Sequence, residues 1–332
     1  MKDSVLKAWS STLAGRRPSL SIEITRECPL RCPGCYAFDP AHLGGGGITL
    51  RQLADYKEDA LVQGILRLVD FHRPLHVSLV GGDPLVRYRE LEVLLPQLVA
   101  RGIFVQVVTS AFRPIPSHWA SFPRFNLVVS VDGLQPEHDE RRKPATYERI
   151  LKNLQGSVKA TIHCTITGQM TAKPNYLEQF LRYWSQRPEA RKVWMSIFTP
   201  QQGAVGPEIL SPQARSEVIA ELRRLRPLYP ILDMRESLIR ELEHPPRSPA
   251  ECIFARTTET ISADLKTRIS PCQFGGNPDC SQCGCIASMG LAAIGHYKVV
   301  GPLTAGHLYT ASEFVGKGVR MLMNKPKETA AR

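Results

Sequence analysis

The stretch Leu20-Ser-Ile-Glu-Ile-Thr25, then Arg26, then Glu27-Cys-Pro-Leu-Arg-Cys-Pro-Gly-Cys-Tyr36, runs from a strand-like segment straight into three cysteines. Cys28, Cys32 and Cys35 are spaced CxxxCxxC, so one short prolyl loop brings three thiolates to a single face. Three thiolates do not complete a tetrahedral zinc site. They suit a [4Fe–4S] cube in which three irons take sulfur ligands and the fourth stays open for a small molecule. Two plainer readings of the triplet stand beside this one: a zinc knuckle with a distant fourth ligand, and three unrelated core thiols.

Downstream, short apolar runs rich in β-branched residues recur at 20–24, 77–80, 104–108, 127–131, 161–166 and 193–198. Such runs, bounded by turns, are the profile of buried parallel strands. Between them the period becomes helical. Leu91, Leu94, Leu95 and Leu98 fall at i, i+3, i+4 and i+7, as do Tyr147, Ile150, Leu151 and Leu154, and Leu177, Phe180, Leu181 and Trp184. Ser211-Pro212 supplies an N-cap and first helical residue for a helix with Val218, Ile219, Leu222 and Leu225 inward. Six βα units in series argue for an α/β fold, a parallel sheet curled into a partial, TIM-like (β/α)6 barrel.

A parallel barrel does its chemistry at the carboxyl ends of its strands. Small and polar residues gather there: Gly81-Gly-Asp-Pro84, Thr109-Ser110, Ser130-Val-Asp-Gly133 and Ser196-Ile-Phe-Thr199. With the cysteine triplet, these motifs resemble the radical S-adenosylmethionine (SAM) enzymes. The resemblance implies that SAM chelates the open iron and is cleaved to methionine and a 5′-deoxyadenosyl radical. It makes Cys28, Cys32 and Cys35 the catalytic cluster ligands. Gly81-Gly82-Asp83-Pro84 is similar to the family's GGE(P) motif, in which glycines let backbone carbonyls approach the SAM amino group; Asp83 stands where Glu is usual. Ser130, Asp132 and Arg142 resemble a family stretch near the ribose and carboxylate of SAM, where a guanidinium is a bidentate carboxylate partner. Gly34 replaces the family's usual aromatic before the third cysteine, so either Tyr36 packs against adenine in its place or the adenine is held by backbone alone. Thr109 and Ser196 complete the set of candidate SAM contacts.

Beyond the proline-rich stretch at 245–249 lie five of the nine cysteines: Cys252, Cys272, Cys280, Cys283 and Cys285. Residues 257–271 read as a β-hairpin turning near Ala263-Asp264-Leu265. Cysteines before and after a hairpin, then a CxxC, resemble the SPASM and shorter twitch modules that carry an auxiliary [4Fe–4S] cluster. Cys252, Cys272, Cys280 and Cys283 would then ligate it, with Cys285 a spare or a substitute. A structural zinc on the same thiolates is the alternative. The expected organisation is an N-terminal extension (1–17), a barrel with its helical linker (18–245) and an auxiliary-cluster domain (246–332). Mid-strand, Cys164 reads as a small buried hydrophobe; if it or His163 faces the lumen, it becomes a hydrogen donor or proton acceptor for substrate.

The chain has 332 residues, 43% apolar and 22% charged, and a net charge of +11. No apolar run approaches membrane-spanning length, and the N-terminus lacks a secretory h-region. A cytoplasmic chain keeps its thiols reduced, which favours metal ligation over disulfides. The charge is spread along the chain, so specific nucleic-acid binding is not expected. It reads first as a solubilising surface, and beside that as a fit for an anionic substrate, an anionic membrane surface or an acidic electron donor such as flavodoxin or ferredoxin. The expected function is hydrogen abstraction from an unactivated C–H bond of a small-molecule or lipid-like substrate, with net oxidation through the auxiliary cluster. Two alternatives are a ribosomal-peptide maturase of the SPASM type and a zinc-bearing nucleic-acid-binding module. The short segment before the cluster disfavours the peptide reading.

Overall fold

The computed structural model describes residues 2–44, 46–144 and 147–323. Seven parallel strands form one sheet: β1 (Ser19–Glu23), β2 (His76–Val80), β3 (Phe104–Thr109), β4 (Phe125–Ser130), β5 (Ala160–Ile166), β6 (Ala190–Ile197) and β7 (Thr258–Ile261). Their order across the sheet is β6-β5-β4-β3-β2-β1-β7. The first six follow the chain one by one, with helices in the crossovers except between β3 and β4, where only the 3-10 turn Ser117–Ser121 stands. Helices Tyr88–Ala100, Tyr147–Leu154, Tyr176–Ser185 and Pro212–Leu225 bury the residues their periodicity selects, except Leu151, which is only half-buried against the core. Ser211 Oγ caps the last of these by accepting from Ala214 N at 3.1 Å.

The alternation along each strand divides the fold into two faces. Leu20, Ile22, Val77, Leu79, Val105, Val107, Leu127, Val129, Ile162, Cys164, Val193 and Met195 point towards the helices and join one apolar core. Cys164 is therefore a packing residue. The opposite face carries Ser21, Glu23, Ser78, Gln106, Asn126, Ser130, Thr161, His163 and Ser196, and several of its polar groups bond one another across the strands. Gln106 Nε2 donates to Ser78 Oγ (3.4 Å), Asn126 Nδ2 to Gln106 Oε1 (3.1 Å) and Thr161 Oγ1 to Asn126 Oδ1 (2.9 Å). The concave face is thus lined by hydroxyls and amides.

The seventh strand was not expected in the barrel. The hairpin does form: Ile261 bridges Arg268 antiparallel, and Ile269 N donates to Thr260 O at 2.9 Å. Its first strand, however, also adds in parallel to the open edge of β1, Ser19 facing Thr258 and Ile22 facing Ile261. β1 begins the chain's strand order and so leaves one edge unpaired, and the β-branched run Thr258–Ile261 fills it. At the turn, the Asp264 carboxylate accepts from Lys266 N and Thr267 N. Helix Ala305–Met323 packs on helix Lys2–Leu13 so closely that a Cβ on Gly316 would lie 2.1 Å from Thr12 O.

Candidate active site

Cys28, Cys32 and Cys35 lie half-buried in the irregular segment between β1 and the single 3-10 turn Tyr36–Phe38. The loop is braced from below by a buried ion-pair network. Arg87, on the turn after β2, donates to Glu27 Oε2 at 3.3 Å and forms a short ion pair with Asp55. Asp55 also accepts from Thr25 Oγ1 and from Arg26 N, both at 3.3 Å. The Arg87 hydrogen bond, helped by Lys57, pulls Glu27 down to about 2. From the side, Arg31 N donates to Lys143 O at 2.6 Å. Burial pushes all three thiols up, Cys28 to about 12, while the Arg142 charge works against it at Cys32 and Cys35. Three half-buried thiols on one short loop beside a guanidinium fit an anionic, thiolate-ligated cluster.

Gly81 and Gly82 both have positive φ, +77° and +52°. A Cβ on Gly81 would stand 2.1 Å from Glu23 Cβ, and one on Gly82 would stand 2.2 Å from Glu27 O. The glycines thus let the end of β2 pass directly under the segment that leads to Cys28. Asp83 N fastens the two by donating to Glu27 O at 2.9 Å. The Asp83 side chain is turned inward: Oδ1 accepts from Thr109 Oγ1 (2.6 Å) and Leu85 N (3.0 Å), and Oδ2 from Ser110 Oγ (2.5 Å) and N (2.8 Å). Asp83 and Thr109, both candidate SAM contacts, are occupied with each other, joining the carboxyl ends of β2 and β3. Burial raises the Asp83 carboxyl against these four bonds. Pro84 starts the turn that carries Arg87.

Asp132 is a second hub. Its Oδ2 accepts from Arg142 Nε (2.9 Å) and Arg141 Nε (3.2 Å), and its Oδ1 from Thr165 N (2.9 Å). The two guanidiniums hold it well below the usual carboxylate range despite burial. Arg142 is thereby fixed between Asp132 and the thiols of Cys32 and Cys35. Ser130 faces His163 across the β4–β5 ladder. His163, on the concave face, hydrogen-bonds through Nε2 to Ser196 Oγ at 2.8 Å, and burial keeps it neutral with a pKa of about 4.

Tyr36 is placed elsewhere. Its ring packs edge-on against Phe274 (5.4 Å) and tilted against His42 (5.6 Å), facing the C-terminal segment. The aromatic beside Gly34 is Phe198, whose ring would be 3.5 Å from a Cβ there, with the Arg141 guanidinium 5.7 Å from its centroid. Phe198 extends β6 past its last paired residue, and only the three-dimensional stacking of β6 over the cysteine loop reveals it.

The five C-terminal cysteines line a single small cleft, together with Thr199, Phe274 and Ser288. Cys252 Sγ lies 3.1 Å from Ser288 Oγ, and Cys285 Sγ accepts from Gln273 Nε2 at 3.2 Å. Burial pushes Cys272 up to about 12 and Cys280 to about 11. The CxxC turn is stapled to β6: Ile197 N donates to Gly284 O and Gly284 N to Thr199 Oγ1, both at 3.0 Å. Arg215 gathers the carbonyls of Gln282, Cys283 and Leu242 at 2.7–3.0 Å. Ile286 N donates to Ser196 Oγ at 3.2 Å, so the chain just after Cys285 touches the His163–Ser196 pair. Among the described residues no three His, Cys, Asp or Glu side chains converge on a point as a single-ion site demands. A cubane distributes its thiolates over different irons and has no such demand.

The chain carries a radical SAM domain: residues 22–180 match the sequence profile of the Radical SAM superfamily. Proteins of this superfamily bind SAM and a [4Fe–4S] cluster and work by SAM radical chemistry. Among solved structures, the fold is similar to anSMEcpe with bound AdoMet (13% identity, TM-score 0.57, 92% of this chain and 97% of that one). The same enzyme with AdoMet and the Cp18Cys peptide gives a TM-score of 0.58, again at 13% identity with 92% and 97% covered. It is also similar to Streptococcus suis SuiB bound to precursor peptide SuiA (16% identity, TM-score 0.50), over 79% of this chain and 61% of SuiB. The chain therefore spans about three fifths of SuiB, and at these identities the likeness carries the fold. No curated protein matched the sequence. No helix among the described residues is long and apolar enough to cross a membrane.

Proposed function

We propose that Cys28, Cys32 and Cys35 hold the [4Fe–4S] cluster that binds SAM, and that Cys252, Cys272, Cys280 and Cys283 hold a second one. The chain would then oxidise an unactivated C–H bond of a small polar molecule. The observation that carries this reading is the single cleft lined by five cysteines, backed onto the concave face through Ile286 N, Ser196 Oγ and His163. When bound, SAM and the clusters supply a 5′-deoxyadenosyl radical that takes a hydrogen atom, and an acceptor for the electron that the substrate then gives up. The protein's part is placement and proton handling. Arg142, anchored by Asp132, sets a positive charge at the mouth of the cysteine loop, where it suits the SAM carboxylate and the cluster. Phe198 offers an apolar face beside Gly34 for the adenine. Neutral His163 is the group on the concave face suited to accept the proton that leaves with the electron. The hydroxyl and amide lining favours a polar substrate over a lipid-like one. An acidic electron-transfer protein remains the proposed reductant.

Iron and sulfide analysis after anaerobic reconstitution tests the assignment. About eight of each per chain are expected, falling to about four in the Cys272→Ala/Cys283→Ala variant, in step with two four-iron cubes. At saturating SAM that variant should still form 5′-deoxyadenosine under dithionite. A wild-type chain holding four irons, or one zinc in place of the second cluster, would remove the oxidative reading.

A further inference from the structure

We propose that Glu23 and His42 form a buried positioning pair through which the C-terminal cysteine cleft sets the affinity of the SAM pocket. The inference rests on the assignment of the pocket at Gly81–Pro84 to SAM. Glu23 closes β1 and is 1% exposed, His42 follows the cysteine loop and is fully buried, and neither belongs to any motif. His42 Nε2 lies 2.8 Å from Glu23 Oε1, and Nδ1 lies 2.9 Å from Phe274 O. Both partners only accept, so the ring satisfies them together only as an imidazolium donating from both nitrogens. Ser262 Oγ donates to Glu23 Oε2 at 2.6 Å, which completes the carboxylate.

Each end of this chain of contacts touches a different site. On one side the Glu23 side chain lies against Gly81, where a Cβ would be 2.1 Å from Glu23 Cβ. On the other, Phe274 comes two residues after Cys272, and a Cβ on Gly275 would be 1.9 Å from His42 O. Tyr36, next to Cys35, fills the angle between His42 and Phe274. A buried ion pair adds little to stability over an apolar pair of the same volume, yet removing one partner is costly. That asymmetry makes the pair sensitive to place. If the Cys272 loop moves, the Phe274 carbonyl leaves, the imidazolium loses an acceptor, and Glu23 shifts against the glycine that shapes the SAM pocket.

The test is SAM affinity, measured by anaerobic calorimetry on the reconstituted full chain, with the EPR spectrum of the dithionite-reduced cluster before and after SAM. His42→Phe should weaken SAM binding about tenfold, a coupling of ordinary size, with iron content kept. Cys272→Ala/Cys283→Ala should weaken it similarly, and combining the changes should add little, because both cut one connection. Glu23→Gln/His42→Gln, a neutral bridge, should recover part of the loss. If His42→Phe fails to fold, His42→Gln, close to it in reach, carries the same expectation. Wild-type affinity and an unchanged SAM-induced EPR shift in the folded His42 variant would overturn the coupling, as would fully additive losses. A wild-type chain that does not bind SAM would instead overturn the pocket assignment on which the coupling rests.

Discussion

Replacing Gly82 by alanine should empty the first cysteine site while sparing the second. The residue sits at φ +52°, where a Cβ costs about 1–2 kcal/mol through the left-handed backbone alone. The added carbon would meet Glu27 O at 2.2 Å and Thr25 O at 2.8 Å, both backbone atoms that no side-chain rotation can clear. Relief requires the segment before Cys28 to move by about 1 Å to reach an ordinary contact distance. That movement breaks the 2.9 Å bond from Asp83 N to Glu27 O, worth about 1 kcal/mol. The sum is roughly 2–3 kcal/mol of local destabilisation, applied one residue ahead of the first ligand. The C-terminal cleft is not part of this contact. Iron analysis of the reconstituted variant should show about half of the wild-type content, since one of two equal cubes is lost. No 5′-deoxyadenosine should form under dithionite. Full iron with normal SAM cleavage would show that the β2 glycines do not control the cysteine loop.

Arg87→Leu should cost about 3–5 kcal/mol, because it removes the nearest cation from the buried Asp55 carboxylate and leaves only the longer pair with Arg26 at 4.0 Å; a shift in urea midpoint equivalent to less than 1 kcal/mol would contradict the network. Stability should also fall as the pH drops from about 6.5 towards 4. Burial depresses His76, His138 and His163 to about 4, so the unfolded chain binds more protons throughout that window. Each contributes a slope of up to about 1.4 kcal/mol per pH unit. His42, raised by Glu23, works in the opposite sense: its contribution is present below 6.5 and lost as the pH climbs through its raised value. Urea unfolding at pH 7.0, 6.0 and 5.5 reads the net slope, and His76→Asn should flatten it.

The six barrel strands were legible because a parallel strand buried on its helix-facing side must be apolar and β-branched at alternate positions, and Leu20, Ile22 and Ile24 say so unaided. The helices were legible for the same reason at a different period. Cys28, Cys32, Cys35 and the strand-end motifs were legible because they are close in sequence. What was hidden is what depends on long-range pairing. Thr258–Ile261 announces a hairpin, but its parallel partner is β1, more than two hundred residues earlier, and no local pattern names it. Tyr36 looked like an adenine partner from its place next to Cys35; its ring faces Phe274, and Phe198 from β6 stands by Gly34 instead. Glu23, His42 and Arg215 carry no spacing signal, since each matters only through carbonyls and carboxylates supplied by distant segments.

The net charge of +11 leaned only mildly towards an anionic substrate, and several of the arginines behind it are already paired. Arg17 pairs with Glu259, where the N-terminal segment meets β7. Arg141 and Arg142 converge on Asp132, and Arg141 also reaches Glu208 at 3.6 Å. Arg223 bonds Glu236 and Glu243, and Arg224 bonds Glu178, on the outer helices. These arginines hold elements together, and Arg87 and Arg215 do the same beneath the two cysteine loops. At the exposed pairs of Arg223 and Arg224, on the outer helices and away from the cysteine loops, a charge that is already paired attracts a second anion weakly, because the new partner meets a dipole in place of a monopole. The concave face, by contrast, offers Ser78, Gln106, Asn126, Thr161 and Ser196, groups that discriminate by hydrogen-bond geometry. Selection on that face should follow the positions of a substrate's hydroxyl or amide groups rather than its net charge.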